Sequence, residues 1–147
     1  MLTPQQLIAS LQSSDLQRLP YYANRLDHVV LGITPAQVNA GHYIVFPNYF
    51  QQLVPTHFFM RVNSAGVGAL TTLRLGTDEA TPVDIFSIPQ ANLTSGSLWL
   101  PNSANLTLGA GFLNALKAGA GVKLYKVGSD ATGAFTIDLL FGFTAKG

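Results

Sequence analysis

The side chains in this sequence that could bind or transform a ligand are three histidines, seven acids and a set of aromatic rings. His28, His42 and His57 would suit a zinc site if they stood four residues apart on a helix, or if folding gathered them. No two form a His-x-x-x-His pair, each opens an apolar run, and Asp27 is the only carboxylate close to any of them in sequence. They read as strand-edge residues, and no metal is expected. The acids are Asp15, Asp27, Asp78, Glu79, Asp84, Asp130 and Asp138. Hydrolytic carboxylate pairs are defined by their separation in space. The one adjacent pair, Asp78 and Glu79, falls in a turn over residues 76–82, where the two side chains would point apart into solvent. Asp138 reads as a surface or interface polar group.

Gly109-Ala110-Gly111-Phe112-Leu113-Asn114 begins like a dinucleotide fingerprint, but it lacks the third glycine and no βαβ pattern surrounds it. No nucleophile elbow, metalloprotease helix motif or phosphate loop is present. With no cysteine, a thiol nucleophile, an iron–sulfur cluster and a cysteine-ligated zinc are excluded. The chain is therefore read as not an enzyme, with no cofactor. Trp99 and the tyrosines Tyr21, Tyr22, Tyr43 and Tyr49 could stack on a sugar, since rings with polar tips suit half-wet sites. Trp99 lies between Leu98 and Leu100, and reads more simply as a core or interface strand residue. Asn92-Leu93-Thr94 and Asn105-Leu106-Thr107 match the glycosylation acceptor, a short pattern that no export signal accompanies here.

The elements that would position these residues are mostly strands. In the stretch 135–144, Phe135, Ile137, Leu139, Phe141 and Phe143 share one parity, and Thr136, Asp138, Leu140, Gly142 and Thr144 the other. Side chains alternate across a strand, so this is a strand with one face in a core. Residues 122–127 supply a neighbour, and the turn residues at 128–133 suggest a C-terminal hairpin. Further strands are expected at 28–33, 42–46, 57–63, 69–75, 83–88 and 97–100, each rich in β-branched and aromatic residues and bounded by Pro, Gly, Asn or Ser. Within 69–75, Leu73 and Leu75 oppose Thr72 and Arg74, with Leu70 on the polar side. Residues 109–119 fit either a short helix or an irregular crossing. Short strands at this spacing, with no long helices between them, indicate an all-β sandwich or barrel.

The start differs. Thr3 can cap a helix, Pro4 suits its first position and Gln6 completes a capping box. Leu7, Ile8 and Leu11 then form an apolar stripe at helical spacing. Residues 1–20 are read as an N-terminal helical arm and 21–147 as a single β-sandwich domain. The arm must dock on its own sheet or on a neighbouring subunit, because a helix this short is marginal alone.

Composition points to contacts with other protein. Only 10% of residues are charged, against about 25% in an average soluble domain. No Asp, Glu, Lys or Arg occurs in residues 28–60 or 85–116, and such depletion marks interface cores. A net charge of +1 gives no basic field for nucleic acid. Prolines interrupt the apolar runs before they reach the ~18–20 residues of a membrane span. The N-terminal residues show neither a basic region nor an apolar signal core, so use without export is expected.

Residues 116–127 with 133–143, a glycine-bearing turn, an alternating strand, a loop and an aromatic-rich last strand, resemble the end of a jelly-roll domain of the tumour-necrosis-factor or complement type. Residues 69–86 resemble a strand–turn segment of small tailed-phage virion proteins. The whole chain is similar to these in being short, cysteine-free, poor in charge and rich in Asn, Thr, Gly and aromatics. The resemblance implies an antiparallel jelly-roll sandwich of about eight strands with a short N-terminal helix or arm. It also implies a non-enzymatic virion structural protein, a capsid cement or decoration protein carried on the capsid surface and assembled in the host cytoplasm. Its partners would be other capsid subunits and its own copies in a homotrimer. Leu7, Ile8 and Leu11 would make the arm contact, and Tyr43, Phe46 and Tyr49 the subunit contacts. The alternatives are a single-jelly-roll major capsid protein and a carbohydrate-binding module on a tail or host-facing surface.

Overall fold

A computed structural model describes residues 25–47 and 52–146. The predicted arm, with Leu7, Ile8 and Leu11, and also Tyr21, Tyr22 and Tyr49, lie outside them. In chain order the elements are β1 (Arg25–Ile33), α1 (Pro35–Ala40), β2 (His42–Val45), β3 (Gln52–Asn63), β4 (Gly68–Thr77), β5 (Asp84–Pro89), a 3₁₀ turn (Gln90–Asn92), β6 (Leu98–Trp99), β7 (Thr107–Leu108), β8 (Val122–Thr132) and β9 (Thr136–Lys146). They form a four-stranded sheet in the order β1-β9-β3-β6 and a five-stranded sheet in the order β2-β8-β4-β5-β7, with antiparallel pairing throughout. The pairs nest: β1 with β9, β2 with β8, β3 with β6 and β4 with β5. This is the jelly-roll arrangement of two Greek keys, with β7 as an additional edge strand.

The core lies between the sheets. Ile137, Leu139, Phe141 and Phe143 of β9 are buried with Phe135 just before it, and each contributes about 1.5–3 kcal/mol through burial. Phe58 of β3 meets Phe86 of β5 with ring centroids 4.6 Å apart, which joins the two sheets through their middle. Trp99 is 5% exposed and belongs to this core, its indole N–H donating to Ser97 Oγ at 3.1 Å. Helix α1 closes one end. Thr34 and Gln37 form its capping box, Val38 is buried, and Asn39 bonds both the N–H and the carbonyl of Ala131 on β8.

Three expectations change. The C-terminal hairpin does not form: β8 and β9 belong to different sheets, so residues 133–135 cross the core edge rather than turn within a sheet. Both strands have a buried parity, and opposed sheets satisfy both at once. Leu70 is buried, because the register slips by one residue between Leu70 and Thr72. That bulge returns Leu70 to the core face shared by Leu73 and Leu75. Finally, the Asp78-Glu79 turn is tied down rather than solvated. Thr77, fully buried, donates its hydroxyl to Glu79 at 2.7 Å and accepts from the Val83 N–H at 2.8 Å.

Residues 109–119 form turns, not a helix. The N–H groups of Gly109 and Gly111 donate to the carbonyls of Ile85 and Asp84. A Cβ on Gly109 would overlap the Asp84 backbone, so the glycines there serve close approach to the β5 edge rather than phosphate binding.

Candidate interaction surface

The two sheets present very different outer faces. On the five-stranded sheet, register places Tyr43, Lys123, Gly76 and Asp84 in one row and Tyr125, Arg74 and Ser87 in the next. These groups satisfy one another. The Tyr43 hydroxyl donates to Asp78, which also pairs with Lys123 Nζ at 3.1 Å. Arg74 donates to Asp84 at 3.0 Å, and the Tyr125 hydroxyl donates to the other oxygen of Asp84 at 2.6 Å. Lys123 lies 5.7 Å from the Tyr125 ring centroid. The hydrogen bond from Tyr43, followed by that from Lys123, holds the Asp78 carboxyl below the usual range. The bond to Asp78 raises Tyr43. Burial, and then the Asp84 carboxylate, push Tyr125 up to about 12.

The outer face of the four-stranded sheet is apolar at its centre. Val29 of β1, Leu140 of β9 and Phe59 of β3 stand side by side in register. Leu31 follows on β1, and Leu98 of β6 stands beside Arg61. Val29, Leu31 and Leu98 are 58%, 72% and 54% exposed. Charge is confined to the ends. At one end Asp27, Gly142 and His57 share a row, and Asp27 Oδ1 lies 3.3 Å from His57 Nε2. At the other end Asp138 accepts from the Gly32 N–H at 2.9 Å, from Asn63 at 2.9 Å and from Arg61 at 3.0 Å. The Gly32 bond, then those from Asn63 and Arg61, lower the Asp138 carboxyl.

This outer face is thus an apolar patch with charged groups at its two ends. The sequence reading missed it, because residues 28–33 are apolar on both parities and do not reveal which side faces out. The available signal was the absence of charge from 28 to 60, which covers both Val29 and Phe59.

The residues singled out earlier fall elsewhere. Phe46, just past β2, is 73% exposed, and its ring stands 5.5 Å from that of Tyr43. The histidines are dispersed. His57 is on the apolar sheet's outer face. His28 turns toward the other sheet, with Nδ1 3.1 Å from the Ile44 carbonyl. His42 lies on β2. Among the described residues, no three His, Cys, Asp or Glu side chains gather as a metal site, and no helix is long and apolar enough to cross a membrane. Compared with protein-family models, curated proteins and solved structures, the chain gives no match.

Proposed function

We propose that this chain is a non-enzymatic virion structural protein, a capsid cement or decoration protein that binds a viral shell as a homotrimer. The carrying observation is the contrast between the two outer faces of the jelly roll. One is polar and paired within itself, while the other exposes Val29, Leu31, Phe59 and Leu98 around the half-buried Leu140. Burying that patch against coat subunits drives attachment, with a few anchors supplying most of the energy. Many copies on one shell reinforce one another. Phe46, exposed beside β2, is the described residue best placed for contact between copies. The scarcity of charge supports the same reading, since interface cores are depleted of Lys, Glu and Asp. Attachment would place the protein on the capsid surface, after assembly in the host cytoplasm.

Light scattering on the full chain and on a chain lacking residues 1–19 tests this reading. A trimer in both locates the subunit contact in the sandwich. A well-behaved monomer in both, at high concentration, overturns the trimer and with it the cement reading. Closed particles in electron micrographs of the purified protein would instead identify a major capsid protein. A carbohydrate-binding module is disfavoured by the burial of Trp99.

A further inference from the structure

We infer that the apolar outer face of the four-stranded sheet binds the same face of a second copy of this chain, about a two-fold axis that sets Asp27 of each copy against Arg61 of the other. The inference rests on the reading of that face as the shell-binding surface for its use: before assembly, the contact occupies the surface that later meets the shell.

The charge pattern identifies the occupant. The row Val29, Leu140 and Phe59 crosses the middle of the face, with one ion pair at either end. In the pair Arg61 and Asp138 the side chains are 52% and 20% exposed, so the guanidinium is the outward member. The Asp138 carboxylate is drawn inward by its bonds from Gly32 and Asn63. In the pair Asp27 and His57 the side chains are 46% and 33% exposed, so the carboxylate is the outward member. The face therefore offers an acid at one end, a base at the other and a neutral apolar centre. A second copy turned end for end carries the complementary pattern.

Register fixes the axis. Asp27 is on β1 and Arg61 on β3, one strand to either side of β9. They also lie one row to either side of Leu140, so Leu140 marks the midpoint of the line between them. A two-fold axis in the plane of the contact, through Leu140 and perpendicular to that line, exchanges the two charges. The contact is then isologous, with the same acid–base pair formed twice. With strands ~4.8 Å apart and same-face rows ~6.8 Å apart, the strands of the two sheets cross at about 70°. That is nearer the orthogonal class of sheet packing than the aligned one.

Size sets the strength. The area spanned by β1, β9 and β3 over these rows is roughly 15 Å by 20 Å on each copy. Both copies together bury ~600 Å², against the ~1,600 Å² of a stable interface. A single contact is weak and gives way to the shell. A trimer attached through this face presents all its copies of it on one side, so two trimers meeting back to back repeat the contact and bury about 1,800 Å².

Light scattering of the full chain across a wide range of concentration tests the contact without any shell. The mass is expected to double as concentration rises, from trimer to hexamer. Asp27→Lys and Arg61→Glu each oppose like charges at both ends of the contact. Each is expected to move the midpoint of the doubling to at least about tenfold higher concentration, with urea unfolding still cooperative. Mixed in equal amounts, the two variants are expected to regain the doubling, because every end then joins opposite charges. A folding defect cannot produce that recovery. Folded variants that double like the parent, or that show no recovery on mixing, overturn the contact. A doubling that starts from a monomer keeps the contact and overturns the trimer. A mass that never doubles, while Leu31→Asp still abolishes shell binding, keeps the shell reading and overturns the contact.

Discussion

The imidazole of His57 occupies the space above Gly142 that a Cβ would fill. Gly142 lies between His57 on β3 and Asp27 on β1 in a single row across the sheet, so the ring reaches across the glycine to the carboxylate. Gly142→Ala is therefore expected to swing the half-exposed ring aside and break its contact with Asp27, at a cost of no more than about 1 kcal/mol because the ring can move toward solvent. Urea unfolding of this variant beside Asp27→Asn separates the two effects, since Asp27→Asn removes only an exposed pair and should cost well under about 1 kcal/mol.

Acid stability should depend on Asp138. Its carboxyl is held below the usual range by Gly32, Asn63 and Arg61, so the folded state favours the ionised form. That contribution is complete above the unfolded carboxylate value of about 4 and is lost as pH falls through the lower folded value. Asp138→Asn is expected to lower stability at neutral pH and to flatten the decline below about pH 4. Melting temperatures measured from neutral to acid pH would show both, and an unchanged acid limb would contradict the assignment.

How far the sequence foretold this arrangement differs from strand to strand. The alternation from Phe135 to Phe143 identified the core face of β9, because period two is a local property. Its partner strand was not legible, since parity tells which way a side chain points but not which sheet lies opposite. Leu70 was assigned to the wrong face because a bulge is one extra residue with no compositional mark. Helix α1 opens with Thr34-Pro35-Ala36-Gln37, the same kind of signature as Thr3-Pro4-Gln5-Gln6, but its six residues are too few to show a helical stripe between two apolar strands. Strand β7 is two residues long, too short for any period to show. The apolar face was hidden for a related reason: Val29 and Val30 point to opposite sides of β1, and nothing in their chemistry distinguishes them.

At high pH the tyrosines should separate. Tyr125 is raised to about 12 by burial and by Asp84, whereas an ordinary phenol ionises near 10. Its contribution to stability is present below about pH 10 and is lost as pH rises through the folded value. Near-UV titration of the phenolate is expected to lose its latest-titrating component in Tyr125→Phe. Loss of an early component instead would place Tyr125 in solvent.

The only tryptophan offers a direct probe of the core. Trp99 should emit at short wavelength and resist quenching by iodide, and Trp99→Ala is expected to destabilise by about 3–5 kcal/mol. A solvent-like emission spectrum in the folded protein would put the ring outside.

On the apolar face, substitution should leave the fold intact. Leu31 is 72% exposed, so Leu31→Asp is expected to change stability by no more than about 0.5 kcal/mol while it weakens shell attachment. A cooperative unfolding curve close to that of the parent, together with unimpaired binding, would exclude this face as the contact.

The position of β9 has a consequence for synthesis. β9 lies between β1 and β3, yet it is the last of these three to leave the ribosome. Until the chain has been made through Lys146, β1 lacks its one neighbour in the sheet and β3 lacks one of its two, keeping only the two-residue β6, so the four-stranded layer over the core stays split. The four-stranded sheet therefore cannot form progressively from its N-terminal side. A nascent chain halted before β9 would expose strand edges and core side chains together, which is the condition under which unfinished chains associate with one another or with chaperones.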